Sequence, residues 1–466
     1  GAVGNRDVNG DPNPLVTPIV LYVASSGQPD VRINYARDHQ YDFAGFQTME
    51  GGGYLKKTTL LGADGKYHRT AVERPQHMIM RVVLGIHAEA FVPSGACNLS
   101  RITGRDANEK YPWRGYKSDE ENWEYEDLCG RMTVAGFAAL DKAWETYDQM
   151  SRLLFTHATP TLFHAGTMRP QMSSCYLLQP AKDSLPAIYD WQKECAIISK
   201  WAGGLGSHIH LIRGRGAYIR GTDGFTEGIA KMLRVSDATS LYVDQSGKRP
   251  GVHAIYLNPT HPDTMAFLSL KEQRGNELER ARHLFYALWI PDEFMRCVVH
   301  KKTWHFVCPN RFRKAYRCEL EDFYDAAPSM SEWVEEASME KHAFTYMYRK
   351  AVADGRTEGS IEATKLWMRV LQLLSETGGP YICFRDNVNR KSNHQHLGTV
   401  KSSNLCTEIM EYSGPDETAV CNLASICLPK YVGAESKLNL FELEHTVRLC
   451  VGNLNEIVDE NFYPDT

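Results

Sequence analysis

The chain has no Cys-x-x-Cys pair among its 12 cysteines, which fall at 97, 129, 175, 195, 297, 308, 318, 383, 406, 421, 427 and 450. Such scatter argues against a zinc ribbon or a local dithiol motif. A chain of 466 residues also lacks the cysteine density of a disulfide scaffold, so a reducing compartment is expected. No apolar run approaches the roughly 18 residues that a membrane-spanning helix needs, so no helical membrane span is expected. Charge of one sign is not in excess: a formal net charge of −5 offers no broadly basic surface, and nucleic acid is not an expected partner. The local basic run Arg311-Phe312-Arg313-Lys314 reads as a solvated face. Internal repeats and low-complexity tracts are missing as well. There is no initiator methionine before Gly1-Ala2-Val3, so the chain is expected to be processed or part of something longer. A removed targeting segment would leave no trace, which keeps an organelle open beside the cytoplasm.

What is present is ordinary for a soluble globular protein, with 43% hydrophobic and 23% charged residues, enough to build a sizeable core. Residues 1–34 form an irregular N-terminal arm rich in Gly, Pro, Asn and Asp. Residues 35–157 read as mainly helical, with an insertion at about 96–128 that carries Tyr111-Pro-Trp-Arg-Gly-Tyr116 and the acidic, aromatic stretch 119–127. That insertion is either a partner-docking loop or decoration. Helical spacing is clear over 74–87 and again over 133–154, where Phe137, Leu140, Trp144, Tyr147 and Met150 form a core stripe. From 158 to 466, helical and strand-like segments alternate, which favours an α/β architecture. Ser174-Cys175-Tyr176-Leu177-Leu178 reads as a buried strand. The helix over 360–377 shows an apolar face of Leu366, Trp367, Val370, Leu371 and Leu374, and Gly378-Gly379-Pro380 stops it.

Chemistry concentrates in Ser402-Ser403-Asn404-Leu405-Cys406-Thr407-Glu408-Ile409. If this stretch is extended, Asn404, Cys406 and Glu408 share one face at about 7 Å spacing, since a strand rises roughly 3.3 Å per residue. An amide, a thiol and a carboxylate in line are costly to bury unpaired, and this favours a site over an incidental buried cysteine. Its chemistry stays open on spacing alone. A cysteine hydrolase would need a histidine base, and no Gly-x-Cys-x-Gly turn is present. A metal site with Cys406 and Glu408 lacks histidine at matching spacing. A redox site, with Cys175 and Cys421 as further thiols, remains. The stretch Ala202-Gly203-Gly204-Leu205-Gly206 reads as a turn that offers N–H groups to phosphate only in the functional alternative. Lys248-Arg249-Pro250-Gly251, after Asp244-Gln245, suits an anionic ligand or is a solvated turn.

Several long segments resemble the large, catalytic subunit of class I ribonucleotide reductase of the eukaryotic type. They are Ala71-Val-Glu-Arg-Pro-Gln-His-Met78, Phe155-Thr-His-Ala-Thr-Pro-Thr-Leu-Phe-His-Ala-Gly-Thr167, Arg169-Pro-Gln-Met-Ser-Ser-Cys175 and Ala281-Arg-His-Leu-Phe-Tyr-Ala-Leu-Trp-Ile-Pro-Asp292. Asn389-Arg-Lys-Ser-Asn393, Ser403-Asn-Leu-Cys-Thr-Glu408 and Ala419-Val-Cys-Asn-Leu-Ala-Ser425 follow in family order. The resemblance implies the first part of a ten-stranded α/β barrel, preceded by a mainly helical region. It implies that Cys406 becomes a thiyl radical that takes the ribose 3′-hydrogen, with Glu408 as base on the 3′-hydroxyl and Asn404 binding the sugar hydroxyls. Cys175 and Cys421 would reduce C2′ and end as a disulfide. Thr159, Ser174, Gly204 and Arg249 fall around the substrate, a ribonucleoside diphosphate. Asp183, Ser184, Arg213 and Gln245 fall at the site for a deoxynucleotide or ATP effector with magnesium, and Gln245 and Arg249 lie on the loop that relays its signal. No cofactor is implied as covalently bound. The radical metallocofactor would reside in a separate small subunit.

Departures from the family pattern bear on these expectations. The effector loop is one residue shorter. Glu-Pro-Trp-His has become Asn258-Pro259-Thr260-His261, and the small apolar run after Gly206 is Ser207-His208-Ile209-His210. Against the family, the N-terminal ATP-binding region and the second half of the barrel are missing. A second polypeptide is therefore expected to complete the barrel, with the chain inactive alone. The alternative is a repurposed paralogue that serves as a structural subunit of a larger assembly, docked through the 96–128 insertion.

Overall fold

The computed structural model describes residues 16, 20, 28–61, 67–88, 134–243, 251–433 and 436–464. The 96–128 insertion, most of the N-terminal arm, Gln245 and Arg249 lie outside the described residues. The chain divides into two compact units, Gly1–Ser174 with Asn422–Asp465, and Cys175–Cys421.

In the first unit, helix α1 (Pro75–Ile86) places its proline in the first turn, where a missing N–H costs nothing. Met78 to Ile86 are all buried. The one charge in that stretch, Arg81, pairs with Glu73 at 2.7 Å and donates to the Ala165 carbonyl at 2.7 Å. A side chain at Gly85 would sit 2.0 Å from the Gly166 nitrogen, so only glycine lets the backbone pass. Helix α2 (Val134–Ser151) buries Leu140, Trp144, Tyr147 and Met150 along one stripe, as the spacing predicts. The terminal helix Leu440–Glu460 joins the same core through Leu449, Cys450 and Ile457. A short antiparallel pair, Phe155–His157 with Ala424–Ile426, completes this unit.

The second unit is built on a six-stranded sheet. Its strands are β1 (Cys175–Leu178), β2 (Gly204–His208), β3 (His253–Leu257), β4 (Phe285–Ile290), β5 (Tyr381–Phe384) and β6 (Ala419–Cys421), in the order β5-β4-β3-β2-β1-β6. The first five run parallel and β6 is antiparallel to β1. Parallel neighbours require crossovers. Helices α3 (Leu185–Lys200), α4 (Ile229–Tyr242), α5 (Pro309–Tyr316) and α6 (Ala363–Thr377) lie in those connections. Tyr176, Leu178, Leu205, Ile255, Leu257, Leu288 and Ile290 pack into one core with Trp191 of α3 and Leu366 of α6. The alternate residues Ala254, Tyr256, Ala287, Trp289 and Cys383 form a second core with Val400 and Leu405. Burial on both faces explains why these strands are near-continuous apolar runs.

Two expectations need correction here. Gly204 to Gly206 do not make a phosphate-cradling turn: they are the first residues of a fully buried strand. Helix α6 begins at Ala363, after a short strand Ser360–Glu362, and buries Ala363, Leu366, Val370 and Leu373. Leu371 and Leu374 are 36% and 37% exposed. Apolar side chains occur around much of this helix, so spacing alone could not choose the face. Gly378 closes α6 in the left-handed region at φ 72°, its N–H bonded to the Leu374 carbonyl.

Candidate active site

Asn404, Cys406 and Glu408 are not on a strand. Residues 401–410 contain no strand, and the chain turns at Leu405 and Cys406, with Thr407 at φ 69°. The cause is the Asn404 side chain, whose Oδ1 accepts from the N–H groups of Glu408 and Ile409, both at 3.1 Å. An asparagine that bonds its own downstream backbone competes with an extended ladder, and here it wins. The alternation therefore fails: Asn404 and Leu405 are buried, while Cys406 and Glu408 are exposed.

The other end of the Asn404 amide reaches the sheet. Its Nδ2 donates to Cys175 Sγ at 3.1 Å. Cys175 stands directly opposite Cys421 in the antiparallel β1–β6 pair, and Gly204 of β2 is its register partner on the other side. Hydrogen bonding with Cys175, then burial and the nearby charges of Cys175, Glu411 and Glu408, push the Cys421 thiol far up. Cys421 is thus held as a thiol when reduced. One asparagine links the paired cysteines to the Cys406 turn.

The turn rests on a set of anchors. A side chain at Gly206 would lie 2.2 Å from the Ser403 carbonyl oxygen, so glycine is what admits the loop onto β2. Tyr256 donates its hydroxyl to the Asn404 carbonyl at 2.5 Å. Asn389 clamps Val400 by accepting its N–H at 2.7 Å and donating to its carbonyl at 2.9 Å. His210 Nε2 donates to the Lys401 carbonyl at 2.7 Å while Nδ1 accepts from the Asn258 N–H at 3.0 Å, which fixes its neutral tautomer. Asn258 Nδ2 in turn donates to Glu321 at 2.8 Å, and Glu321 pairs with Arg385 at 2.8 Å. Two of the departures from the family pattern, at His210 and Asn258, are therefore one hydrogen-bonded unit. His208 stacks on His210 with centroids 4.9 Å apart, buried, with neither ring nitrogen partnered among the described residues.

Sequence reasoning missed Tyr256 and Tyr381, and it named Gly206, His210 and Asn389 without their role in holding this turn. Burial, and after it the charge of Cys406, push the Tyr381 hydroxyl up from its ordinary value. For Tyr256 and Tyr381 the available signal was a polar atom inside an otherwise apolar strand.

A second constellation gathers Asp183, Ser184 and Arg213. Arg213 pairs with Asp183 at 2.7 Å and donates to the Tyr218 carbonyl at 2.9 Å. Ser184 caps α3, its hydroxyl accepting from the Ala187 N–H at 3.5 Å. They line a cavity of about 800 Å³ together with Arg220, Lys231 and Lys314. Arg220 was not foreseen, although it sits in the turn after Tyr218-Ile219. The two remaining substrate candidates, Thr159 and Ser174, belong to the first unit. Thr159 shares a hydrogen bond with the Tyr54 hydroxyl at 3.1 Å, and Ser174 Oγ is buried without a partner among the described residues.

The folds of both units and this cysteine arrangement define a class for which the comparisons agree. Residues 40–170 match the family model for ribonucleotide reductase, all-alpha domain, and residues 173–466 match ribonucleotide reductase, barrel domain. The chain belongs to the ribonucleotide reductase large-chain family, an all-α domain followed by a barrel domain of which the six-stranded sheet is part. It is 41% identical over 457 residues to the ribonucleoside-diphosphate reductase large chain of Schizosaccharomyces pombe, covering 97% of this chain and 46% of that one. It is 42% identical to the large subunit of Caenorhabditis elegans and 41% identical to that of Danio rerio, covering 93% and 98% of this chain and 45% and 48% of the relatives. The chain spans about half the length of the curated relatives it matches. No described helix is long and apolar enough to cross a membrane.

Proposed function

We propose that the Cys175–Cys421 unit carries the reaction centre of a ribonucleoside-diphosphate reductase. In this reading Cys406, as a thiyl radical, removes hydrogen from C3′ of the ribose while Glu408 takes the 3′-hydroxyl proton and Asn404 orients the sugar hydroxyls. The 2′-hydroxyl takes a proton and leaves as water. Cys175 and Cys421 supply the two electrons and the two hydrogens, one for the departing water and one for C2′, and end as a disulfide. Cys406 then returns hydrogen to C3′, and Glu408 returns the proton to the 3′-oxygen. The observation that carries this reading is the Asn404 amide, which touches Cys175 at 3.1 Å and also holds the backbone of Glu408 at 3.1 Å. A dithiol and a radical thiol must serve one sugar, and a shared positioning group supports that.

Thr159, Ser174, Gly204 and Arg249 are proposed around the substrate. The cavity at Asp183, Ser184 and Arg213 is proposed for a deoxynucleoside triphosphate or ATP with magnesium, since its cations outnumber its carboxylates and its volume suits a nucleotide. Gln245 and Arg249 would relay its occupancy to the substrate base. Catalysis is proposed to need a segment that completes the barrel and a small subunit whose metallocofactor generates the radical, with the cytoplasm as the working compartment. Residues 1–466 alone are expected not to turn over.

The test is Cys406→Ser in the complex reconstituted with those parts. Reduction of a ribonucleoside diphosphate is expected to fall more than a thousandfold with the melting temperature unchanged. Turnover that survives the substitution removes this reading. A complex that assembles but never reduces nucleotide, with or without Cys406, favours the structural subunit for which the departures at His210 and Asn258 speak.

A further inference from the structure

Helix α5 carries the basic run that was expected to be a solvated face, and its side chains divide into three fates. Phe312 is buried in the core. Arg313 pairs with Glu319 and donates to the Leu211 carbonyl at 3.2 Å. Arg311 pairs with Glu358 at 3.2 Å, while Lys314 makes no ion pair or side-chain hydrogen bond among the described residues. Arg311, Lys314 and Glu358 line a cavity of about 510 Å³ with Asn310 and Arg356. The Arg356 guanidinium also has no hydrogen-bond or ion-pair partner among the described residues. Three cations thus converge on one carboxylate that is already engaged.

The same cavity is lined by the hairpin of Tyr218–Ile219 and Gly224–Phe225, through Tyr218 and Phe225. It presents Phe225, 70% exposed, with its ring 6.1 Å from that of Tyr218 in an edge-on arrangement. An exposed aromatic ring in one cavity with unpaired guanidinium and ammonium groups offers stacking for a base and charge for phosphates. Tyr218, Asn310 and Lys314 line both this cavity and the larger one at Asp183.

We infer that the 510 Å³ cavity is a second binding site for a nucleoside polyphosphate, with the phosphates on Arg356, Lys314 and Arg311 and the base on Phe225. Lys314 can neutralise only one phosphate chain at a time. Occupancy of either cavity therefore weakens the other, and by linkage the penalty is reciprocal. The site stands apart from the reaction proposed above, because its residues take no part in the chemistry at Cys406.

Calorimetric titration of the chain with ATP and with inorganic tripolyphosphate tests it. Two ATP equivalents are expected. Arg356→Ala should weaken the second at least tenfold and leave the first. Phe225→Ser should weaken the second ATP at least fivefold and leave tripolyphosphate unchanged, and both positions are exposed enough for the fold to survive. Arg213→Ala should remove the other equivalent instead. Titrations of Arg356→Ala and Phe225→Ser that match the parent chain overturn the inference, as does a single ATP equivalent abolished by Arg213→Ala. Loss of tripolyphosphate with Arg356→Ala but no effect of Phe225→Ser overturns the nucleotide and leaves only an anion patch. Persistence of the Arg356-dependent equivalent when no Arg213-dependent one exists counts against the effector proposal alone.

Discussion

Replacing Asn404 with alanine removes the acceptor shared by the Glu408 and Ile409 amides and the donor to Cys175. The expected cost is about 2–4 kcal/mol, since several buried or half-buried groups lose their partner at once. Hydrogen exchange at Glu408 and Ile409 should accelerate, and unchanged protection at those two amides would refute the capping role. His208 makes the opposite case. Both of its buried ring nitrogens lack a partner among the described residues, so His208→Phe should keep the stack on His210 and raise the melting temperature. The residue types at 404, 406 and 408 were legible as a site because three reactive groups at every second position are costly to bury. Their arrangement was not. A side-chain cap and a positive φ at Thr407 leave no periodic trace, and both bend the chain away from the alternation that its spacing suggested.

Among elements, β2 and α6 show what a glycine does in two different places. Gly206→Ala drives a side chain to within 2.2 Å of the Ser403 carbonyl, backbone against backbone, so neither partner can yield cheaply. A loss of about 2–4 kcal/mol in urea unfolding is expected, with displacement of the Cys406 turn. Gly378→Ala meets nothing within 4 Å and strains only φ, so about 1 kcal/mol is expected in the same measurement. Strand β1 was legible because a short apolar run is what a sheet buried on both faces requires. The face of α6 was legible only in part. Leu366 and Val370 lie inward as read, but Ala363 and Leu373 complete the buried stripe because the sheet, not local hydrophobicity, selects the side. The glycines of β2 look like a turn in isolation, and only the loop that lands on them turns their lack of side chains into a strand requirement.

For the whole molecule, buried histidines set the response to acid. Burial pushes His157 and His253 down to about 3 and His210 to about 4, from an ordinary value of 6.5. The unfolded chain therefore binds protons at these positions below about pH 6.5 while the folded chain does not. Their contribution is complete above that pH and is lost as pH falls toward 4 and then 3, at up to about 1.4 kcal/mol per pH unit for each. Asp386, pushed up to about 7 by burial, works in the other direction between its ordinary 3.8 and 7. Burial lowers His208 and His261 as well and raises Glu194, Asp292 and Glu411, so five histidines against four carboxylates leave a net loss. The melting temperature should fall steadily from pH 6.5 to pH 4.5, and a flat profile across that window would contradict the burial of these rings.

Cys175 and Cys421 are not only neighbours on adjacent strands; they are the first and last residues of the second unit. A bond between them would close that unit into a ring. By the chain-entropy relation, fastening a loop of that length removes about 5 kcal/mol of freedom from its unfolded state. Mild oxidation should therefore raise the melting temperature of the second unit, and a reductant should reverse it. Under the proposed reaction, each reduced sugar would leave the unit fastened at its ends, and each return of electrons would unfasten it. The thermal tolerance of the protein would then follow its reducing supply, falling in the reduced state that is ready to react.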